Sequence, residues 1–467
     1  MDQPRSEVAT SRLSGILPSA KIILGAGIAL RALAFAFIKP DFGPDKHWLV
    51  VAFIAQQGRL PHSGELGQAY HPFLYYLLAA PIYRLSGSFK AVQVLSLVLS
   101  ILTLIVLYHL IYRSGLIAGS RARLYCLALA CFLPQLVLFG LFVSNDTLCI
   151  FLGCCVVWSI ARLVHSPDIG NLCLLGLVGI LGLLTKATFF AYFPVLCALV
   201  LFVWMKTGRS LVRSLTVSLT FALVLAAAGS YKPIDNYRHY GHAFLSNIDF
   251  NPPWLLEQQQ SYQGVLSYVN FDIRRLIAAP TDSPSTERSY PLVLYATFWY
   301  PYVRECSFIG SRHRPFTFLA VAIYLLALIP TAAFIAGMLA LFRRLPNLLR
   351  RFRADDQSDA QALIVSSAMF LLIANLGILL AAVTKYHCWS IMQGRLLFPS
   401  FFGILAVFAC GVELAERIKW SGWLLKFSVS ALCVLFGAYL LGEIGVTLIY
   451  PHRTEVRGYV KTIKSRL

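Results

Sequence analysis

The sequence predicts an all-α, polytopic membrane protein. Of its 467 residues 58% are hydrophobic and only 13% are charged, and the mean hydropathy is +0.69. A soluble domain has about a quarter of its residues charged. Apolar runs of about twenty residues, long enough to cross a hydrocarbon core about 30 Å thick, recur along the chain. We predict about eleven spans, at 18–38, 89–112, 123–143, 146–164, 171–185, 187–205, 211–230, 316–342, 360–384, 395–416 and 424–448.

The basic residues predict the orientation of these spans. Four clusters, at 113–123, 206–213, 343–353 and 417–426, fall on the side of the N-terminus. Lys and Arg accumulate in cytoplasmic loops, so we predict that this side is cytoplasmic. This placement also explains the net charge of +19 without nucleic acid, whose recognition would need a basic soluble module. The basic tail after residue 449 is an exception, because eleven spans place it outside.

The predicted topology brings almost all of the unusual polar segments to the outer face. These segments are 39–88, 144–147, 185–188, 231–315 and 385–395. No internal repeat or Ser/Gly-rich linker divides the chain, so we predict a single membrane domain, 1–467. The predicted location is a bacterial inner membrane, with the polar face toward the periplasm.

The first outer loop, 39–88, contains two predicted helices that are too short to span a membrane. In the first, Asp45 suits the first turn of a helix that ends at Gly58. The second begins at "HPFLYYLLAAPIYRL", where His71 is a candidate cap and Pro72 the first helical residue. Apolar segments of this length are typical of interfacial helices, which lie along the membrane surface.

Several motifs resemble one known family. "PDKHWLVVAFIAQQGRLP", followed by "YHPFLYYLL", resembles the first outer loop of the GT-C membrane glycosyltransferases. The nearest branch contains the protein O-mannosyltransferases and the lipid A aminoarabinose transferase. The family's pattern has Glu where Lys46 stands and a second proline where Phe73 stands. "FVSNDTLCIFLG", "GLLTKATFF" and "QGRLLFPSFFGILAVFACG" are similar to later family segments, in the family's order, and only the long outer loop 231–315 is without a match.

The resemblance implies that Asp45 is the catalytic base and that Asp146, in "SNDT", helps to position the acceptor or the base. An acid beside lipid needs a compensating role. For Asp45, the alternative is a first-turn acid that interacts with the helix macrodipole, which contributes about 0.3–1 kcal/mol. For Asp146, the alternatives are an N-cap role, which Ser144 and Asn145 would share, and a metal ligand.

Cationic and aromatic residues of the outer loops are candidates for binding the substrate. Arg395 and Lys186 suit a phosphate, because a cation beside a departing phosphate stabilises the transition state more than the ground state. The alternatives are an interfacial anchor for Arg395 and a snorkelling turn lysine for Lys186. Lys385, His71 and Tyr75 are further candidates, with a helix cap as the alternative for His71 and an interfacial aromatic as that for Tyr75.

His47, His62 and His71 lie in one loop with Glu65, which raises the alternative of a divalent metal, with His387 as a possible further ligand. Their spacing matches no zinc pattern. We therefore expect the lipid-linked sugar donor as the bound group, with a divalent metal as the less favoured alternative.

Most of the 11 cysteines lie in apolar runs and are typical of small buried hydrophobes. Cys306 and Cys388 lie in outer loops, where a disulfide between them is an alternative to two free thiols. No C-x-x-C pair occurs.

The sequence predicts a membrane glycosyltransferase that moves a sugar from a polyprenyl-phosphate donor to an acceptor hydroxyl, with inversion. A Gly-rich nucleotide-binding βαβ unit is missing, which favours a lipid-linked donor over a nucleotide sugar. The acceptor is a glycan, a lipid or a protein. One alternative is a transporter or flippase of a lipid-linked precursor, for which Arg31 would be the buried charge. Another is a non-catalytic scaffold, which would need neither Asp45 nor Arg395.

Overall fold

The computed structural model describes residues 5–40, 45–281, 289–302, 314–352 and 356–449. Within these ranges the regular elements are helices and no strand occurs. The α-helices are α1 (Arg5–Phe37), α2 (Trp48–Gln57), α3 (Leu74–Ser86), α4 (Phe89–Tyr108), α5 (Ser120–Phe132), α6 (Pro134–Phe139), α7 (Asn145–His165), α8 (Ile169–Leu183), α9 (Tyr192–Lys206), α10 (Leu211–Gly229), α11 (Tyr231–Tyr240), α12 (Pro253–Gln260), α13 (Leu266–Val269), α14 (Ile273–Ala278), α15 (Tyr290–Trp299), α16 (Arg314–Arg351), α17 (Gln357–Tyr386), α18 (Phe401–Ala415) and α19 (Lys419–Ile449). The 3-10 helices are Ala187–Ala191, Asn247–Phe250, Trp389–Met392 and Gly394–Ser400, and a π-helical turn, His109–Arg113, continues α4.

Nine helices of the described chain are long and apolar enough to cross a membrane. They are Ser19–Phe37, Phe89–Arg113, Asn145–His165, Ala187–Lys206, Leu211–Gly229, Phe316–Arg350, Gln357–Tyr386, Gly394–Ala415 and Lys419–Gly445. Each meets the length and hydropathy of a segment that spans a hydrocarbon core. The predicted fold class, an all-α polytopic membrane protein, is confirmed.

Two of the eleven predicted spans take a different form. The span predicted at 123–143 is divided into α5 and α6 at Leu133, whose ψ of 115° is not helical. Pro134 is the cause, because it has no N–H to donate and its ring disfavours the helical conformation of the preceding residue. The span predicted at 171–185 is α8, an apolar helix of only 15 residues. Both segments fall short of the length of a regular span.

Arg31 compensates for the break between α5 and α6. Its guanidinium donates hydrogen bonds to the carbonyl oxygens of Ala130, at 3.0 Å, and Cys131, at 2.9 Å, and to Ser100 Oγ at 2.9 Å. The carbonyl of Ala130 would accept the N–H of residue 134 in an unbroken helix, and proline has none. The buried charge of the first span therefore caps a broken helix.

The first outer loop forms two short helices, as predicted, but their starts differ from the prediction. α2 begins at Trp48, three residues after Asp45, and has no acid in its first turn. α3 begins at Leu74, and Phe73, the residue before it, provides no side-chain cap. The predictions that Asp45 lies in a first turn, that His71 caps α3 and that Pro72 starts it are therefore wrong. Leu74 N–H instead donates to Leu184 O at 2.8 Å, which joins this loop to the turn after α8.

α7 is the central helix, and most of its side chains are buried. It lies against the 3-10 helix Gly394–Ser400 at Gly153, where a Cβ would come within 1.9 Å of Pro399 O. Only glycine permits this approach of two backbones. The contact fixes the first turn of α7 relative to the segment that carries Arg395.

The region 231–315, predicted as a long outer loop, is folded into short helices over the described residues. Ile248 and Leu255 form a small apolar cluster with Cys388, whose thiol donates to Gln258 Oε1 at 2.5 Å. Cys306, the proposed disulfide partner of Cys388, lies outside the described residues, as does the tail after 449.

Candidate functional site

Four charged residues from separate segments meet in one cluster. Arg395 Nη1 lies 2.5 Å from Asp45 Oδ2 and 3.4 Å from Asp146 Oδ2. Lys186 Nζ forms an ion pair with Asp146 Oδ1. The side chains of Asp146, Lys186 and Arg395 are only 9%, 7% and 7% exposed, whereas that of Asp45 is 29% exposed. The cluster is a buried cationic pair between two carboxylates, of which Asp45 is the accessible one.

Two turns hold Asp146 and Lys186 in place. Asp146 is in the first turn of α7, where Ser144 Oγ accepts its backbone N–H at 3.1 Å. Asn145 donates its side-chain amide to Thr185 O at 3.2 Å, which ties this turn to the turn containing Lys186. A snorkelling lysine would keep its ammonium in water. The buried ion pair of Lys186 shows that it does not.

Arg395 is fixed by its neighbours in the 3-10 helix Gly394–Ser400 and by α6. Its Nε donates to Gln393 Oε1 at 2.8 Å, and its guanidinium lies 4.4 Å from the centroid of the Phe139 ring. Gly394 is required beside it, since a Cβ there would lie 2.6 Å from the backbone of Phe298. An interfacial anchor would be exposed to headgroups, whereas this guanidinium is buried and stacked on a ring.

The backbone beside Asp45 is strained. Lys46 has a φ of +49°, a left-handed conformation that side chains other than glycine rarely adopt. Such strain concentrates at functional sites. The kink lets Asp45 and His47, on either side of Lys46, both face the charged cluster.

Burial and charge act in opposite directions on Asp45. Burial raises the pKa of the Asp45 carboxyl, but the charge and hydrogen bond of Arg395 outweigh burial, so that the net pKa lies below its ordinary value. The carboxylate is therefore ionised and, while Arg395 faces it, a weak base.

Two histidines next to the cluster are neutral. His47 Nδ1 lies 2.7 Å from the Tyr76 hydroxyl, and the His47 and His71 rings stack with centroids 5.6 Å apart. Burial lowers the pKa of His47 to about 4 and that of His71 well below its ordinary value. The carboxylates of Asp45 and Asp146 raise the pKa of His47, but burial outweighs them, and the ammonium of Lys186 disfavours protonation of both histidines further. Neutral imidazoles can accept or donate a hydrogen bond without adding charge to the cluster.

Tyr75 and Lys385 have partners outside this cluster. The Tyr75 hydroxyl lies 3.2 Å from Ser96 Oγ, between α3 and α4. Tyr75 and Tyr76 are 0% and 1% exposed, so neither is an interfacial aromatic. Lys385 Nζ forms an ion pair of 3.0 Å with Asp249 in the outer region. Substrate binding by Tyr75 or Lys385 stays a prediction without support from these contacts.

The histidines of the first outer loop do not form one metal site. His47 and His71 lie at the charged cluster, whereas Glu65 forms an ion pair with Arg59 and His62 contacts Asp235. Ligand atoms of Asp45, His47 and Asp146 do lie within 4.8 Å of one another. Both carboxylates, however, are already paired with Arg395 or Lys186. That a divalent metal is the less favoured alternative at this site stays a prediction.

Four residues at the cluster are not predicted by the sequence pattern: Tyr76, Gln393, Phe139 and, as a neighbour of the base, His47. Gln393 and His47 are each two residues from a predicted site residue, a spacing that in extended or kinked backbone returns a side chain to the same side. Nothing in the sequence identifies Phe139 as a site residue, because one apolar residue in an apolar run cannot be distinguished from its neighbours.

An apolar cavity of about 150 Å³ lies between α5, α15, α16, α17 and α18. Leu397, two residues after Arg395, and Phe298, which lies against Gly394, are both in its wall. The remaining wall residues are almost all apolar and include Leu129, Leu133, Leu294, Tyr295, Trp299, Pro330, Thr331, Phe334, Leu372, Phe401, Ile404, Leu405 and Phe408. The 3-10 helix Gly394–Ser400 thus contributes Arg395 to the charged cluster and Leu397 to the wall of the cavity.

Residues 70–230, about a third of the chain, match the model of the family described as dolichyl-phosphate-mannose-protein mannosyltransferase. This match confirms the resemblance to the GT-C superfamily for the segment that contains Asp146 and Lys186. No curated protein sequence matches the chain.

Two solved membrane enzymes are similar to this chain at low identity. One is ArnT of Cupriavidus metallidurans bound to undecaprenyl phosphate, with 13% identity over 88% of this chain and 80% of that one, and a TM-score of 0.35. The other is the oligosaccharyltransferase of Archaeoglobus fulgidus with a tethered acceptor peptide, with 12% identity over 92% of this chain and a TM-score of 0.45. This chain spans 55% of the archaeal enzyme's length. These superpositions are too loose to transfer individual residues.

Proposed function

We propose that this integral membrane protein, which matches a mannosyltransferase family model over residues 70–230, is a glycosyltransferase with a polyprenyl-phosphate-linked sugar donor. The observation that carries the proposal is the contact of Arg395 and Lys186 with Asp45 and Asp146 in one buried cluster. The pair of cations suits a phosphate, and the more accessible carboxylate suits the attacking hydroxyl.

The electrostatics favour the leaving group of this reaction. A sugar phosphodiester carries about one negative charge, and the lipid phosphate approaches a second as it departs. Arg395 and Lys186 are held in position before the reaction, so they stabilise the developing charge with little reorganisation. Their stabilisation is larger in the transition state than in the ground state, which is the condition for catalysis.

The proposed step is a displacement with inversion. The acceptor oxygen forms a bond to the anomeric carbon while the bond from that carbon to the phosphate oxygen breaks. Asp45 takes the hydroxyl proton, and Asp146 holds Lys186 and Arg395 at the phosphate. The products are the glycoside and a lipid phosphate, and Asp45 returns its proton to water.

The ion pair between Asp45 and Arg395 links donor binding to the base. A donor phosphate that attracts Arg395 weakens the 2.5 Å contact with Asp45. The pKa of Asp45 then rises under the influence of burial, which brings the carboxylate closer to the strength of a useful base. The donor therefore prepares the residue that deprotonates the acceptor.

The donor class follows from the surroundings of the cluster. The apolar cavity, whose wall includes Leu397 in the same 3-10 helix as Arg395, suits the first isoprene units of a lipid tail. The described residues contain no strand, and so no βαβ unit for a nucleotide. We assign the cluster to the extracytoplasmic face, because the basic clusters lie at the opposite ends of the spans.

The test is a transfer assay in detergent with radiolabelled polyprenyl-phosphate sugars and membrane extract as acceptor. We expect the wild type to transfer label and Asp45→Asn to lose at least about a hundredfold in rate, within the range of a lost general base. Asp168→Asn is the matched control. Asp168 caps the start of α8, whereas Lys186 of the cluster follows the end of that helix. Asparagine caps a helix equally well, so this variant should keep its rate.

Two outcomes would contradict the proposal. Near-normal transfer by a well-folded Asp45→Asn variant would show that Asp45 is not the catalytic base. No release of polyprenyl phosphate by the wild type, together with movement of labelled lipid across proteoliposomes, would establish the flippase instead. The hydrogen bonds of Arg31 to backbone carbonyls already give that residue a structural role in place of a transport role.

A further inference from the structure

A second group of polar residues lies outside the charged cluster, where the first outer loop meets α11. His62 Nδ1 and His239 Nδ1 lie 3.0 and 3.2 Å from the same oxygen, Asp235 Oδ1. The two imidazole rings are 3.9 Å apart between centroids. The side chains of His62, Asp235 and His239 are 38%, 14% and 45% exposed, so an ion can reach them from water.

The two carboxylate oxygens of Asp235 have different partners. Lys232 Nζ lies 3.2 Å from Oδ2, whereas the imidazole nitrogens of His62 and His239 both lie at Oδ1. The lysine therefore holds the carboxylate from one side and leaves its other oxygen directed at the two histidines.

The distances match the edges of a metal polyhedron. Ligands at about 2.0–2.1 Å from a tetrahedral Zn²⁺ are roughly 3.3–3.4 Å from each other. The two observed nitrogen-to-oxygen distances, 3.0 and 3.2 Å, are only slightly shorter. His239 Nδ1 also lies 2.9 Å from the backbone oxygen of Asp235, and on metal binding it would exchange this contact for the ion. The ligand atoms of all three residues lie within 4.8 Å of one another. A shift of a few tenths of an ångström would open the group around an ion.

The surrounding contacts hold the three ligands in register. Asp235 and His239 are one helical turn apart on α11 and share a face. On the same side of the helix, Asn236 Oδ1 accepts a 2.5 Å hydrogen bond from Ser63 Oγ, and the Tyr240 hydroxyl accepts Gly64 N–H at 2.9 Å. His62 is thus brought to α11 by its own neighbours, without any metal.

We propose that His62, Asp235 and His239 form a divalent transition-metal site, best suited to Zn²⁺, that fastens the first outer loop to α11. Two imidazole nitrogens and one carboxylate oxygen are typical zinc donors, and a water completes four-coordination. Lys232 stays on Asp235 Oδ2, which leaves Oδ1 as the single ligand atom of that carboxylate. The site is separate from the charged cluster and is independent of the proposed reaction.

The consequence of metal binding is a more rigid first outer loop. The segment 59–65 connects α2, which follows Asp45, to the region of His71. A metal bond between His62 and α11 restricts this segment in the folded protein. Because the ion binds the folded chain and not the unfolded one, it raises the melting temperature in proportion to the logarithm of its concentration.

The experiment measures Zn²⁺ binding to the full chain in detergent, purified with an affinity tag that contains no histidine and stripped with a chelator. We expect one Zn²⁺ per chain and an increase in melting temperature on its addition. His62→Ala and His239→Ala should each weaken binding at least about tenfold, the lower range for perturbing a metal site. His242→Ala is the matched control, an exposed histidine three residues from His239, and should bind as the wild type does.

Further variants separate this site from the catalytic cluster. Asp146→Asn should leave Zn²⁺ binding unchanged, and Asp235→Asn should weaken it. If Asp146→Asn abolishes binding, or if the His62→Ala/His239→Ala double variant keeps full affinity, the site is elsewhere and the proposal fails. Absence of Zn²⁺ binding by the wild type also overturns it. Equal melting temperatures of all variants in chelator would show that lost binding is not lost folding.

Discussion

At the scale of single residues, Asp45 and Arg395 each limit what the other can do. With His47 neutral, the two carboxylates and the two cations of the cluster sum to zero charge. An incoming phosphate must compete with Asp45 for the Arg395 guanidinium. The residue needed for proton transfer therefore weakens donor binding until the donor is in place.

Asp45→Asn is consequently predicted to bind the lipid phosphate more tightly while losing transfer. Removal of one negative charge leaves the cluster with a net positive charge and releases Arg395. We expect the affinity for a short-chain polyprenyl phosphate to increase by at least about 1 kcal/mol, which is roughly fivefold. Titration calorimetry in detergent measures this, with Asp168→Asn as control. Unchanged or weaker binding would show that Arg395 is not the phosphate ligand.

The buried neutral state of His47 makes stability depend on pH. The imidazole has an ordinary pKa of 6.5 when the chain is unfolded, and burial lowers this pKa to about 4 in the folded protein. Between these values the unfolded state binds a proton that the folded state does not. The contribution of His47 to the free energy of unfolding is therefore complete above pH 6.5. It decreases as the pH falls toward 4, by up to about 3 kcal/mol.

Melting temperatures at pH 7.5 and pH 5, recorded in chelator, test this dependence. Wild type should melt at a lower temperature at pH 5, and His47→Gln should show a smaller decrease. The melting temperature of the control His242→Gln, at an exposed position, should decrease by as much as that of the wild type. His71 acts in the same direction. The pKa values of Asp45, Glu65 and Asp249 are lowered, so their stabilising contributions are nearly constant above pH 5 and change the difference between pH 7.5 and pH 5 only slightly. An unchanged decrease in His47→Gln would exclude His47 as a source.

At the scale of elements, the broken pair α5 and α6 depends on Arg31. Its guanidinium supplies donors to two backbone carbonyls and to Ser100 in a buried setting. A buried acceptor without a partner costs about 1–3 kcal/mol. The break at Pro134 is therefore stable only with a cation from α1.

Arg31→Met is predicted to destabilise the protein by at least about 3 kcal/mol, because it removes partners from three buried groups at once. Thermal unfolding in detergent measures the loss. Arg121→Met is the control, since Arg121 is exposed and its 3.5 Å pair with Glu416 is worth about 0–1 kcal/mol. Equal stability of the two variants would contradict the capping role.

At the scale of the whole molecule, contacts show that several chain turns share one end of the helical bundle. Asp45, Asp146, Lys186 and Arg395 touch, so the segments that carry them lie at the same membrane depth. Since Asp146 begins α7 and Lys186 follows α8, these two helices run in opposite directions across the same layer. The short helix α8 thus returns the chain to the site.

The predicted sidedness can be measured with a membrane-impermeant thiol reagent on intact cells. Gln263→Cys, at an exposed position of the outer region, should react, whereas Arg121→Cys, at an exposed position in the first turn of α5, should react only after the cells are opened. The wild type supplies the background from its native cysteines. Labelling in the reverse order would place the cluster in the cytoplasm and would remove the argument for an extracytoplasmic donor.

The membrane class, the approximate spans and several charged residues of the cluster can be predicted from the amino-acid pattern alone. These features are local. Hydropathy over twenty residues identifies a span without knowledge of its neighbours, and a charge such as Lys186 or Arg395 between apolar segments is visible as an exception. The family motifs occur along the chain in the family's order, which links these charged residues to one another.

Which of these residues touch depends on how the helices pack, and the amino-acid pattern does not show it. Lys385 and Lys186 look alike in sequence, yet one pairs with Asp249 and the other with Asp146. The backbone break at Pro134 and its cation from α1 also required the fold, as did the meeting of His62 with α11. The physical reason is that ion pairs and hydrogen bonds act over a few ångströms, and distances of that order between residues far apart in sequence are set by how the helices pack.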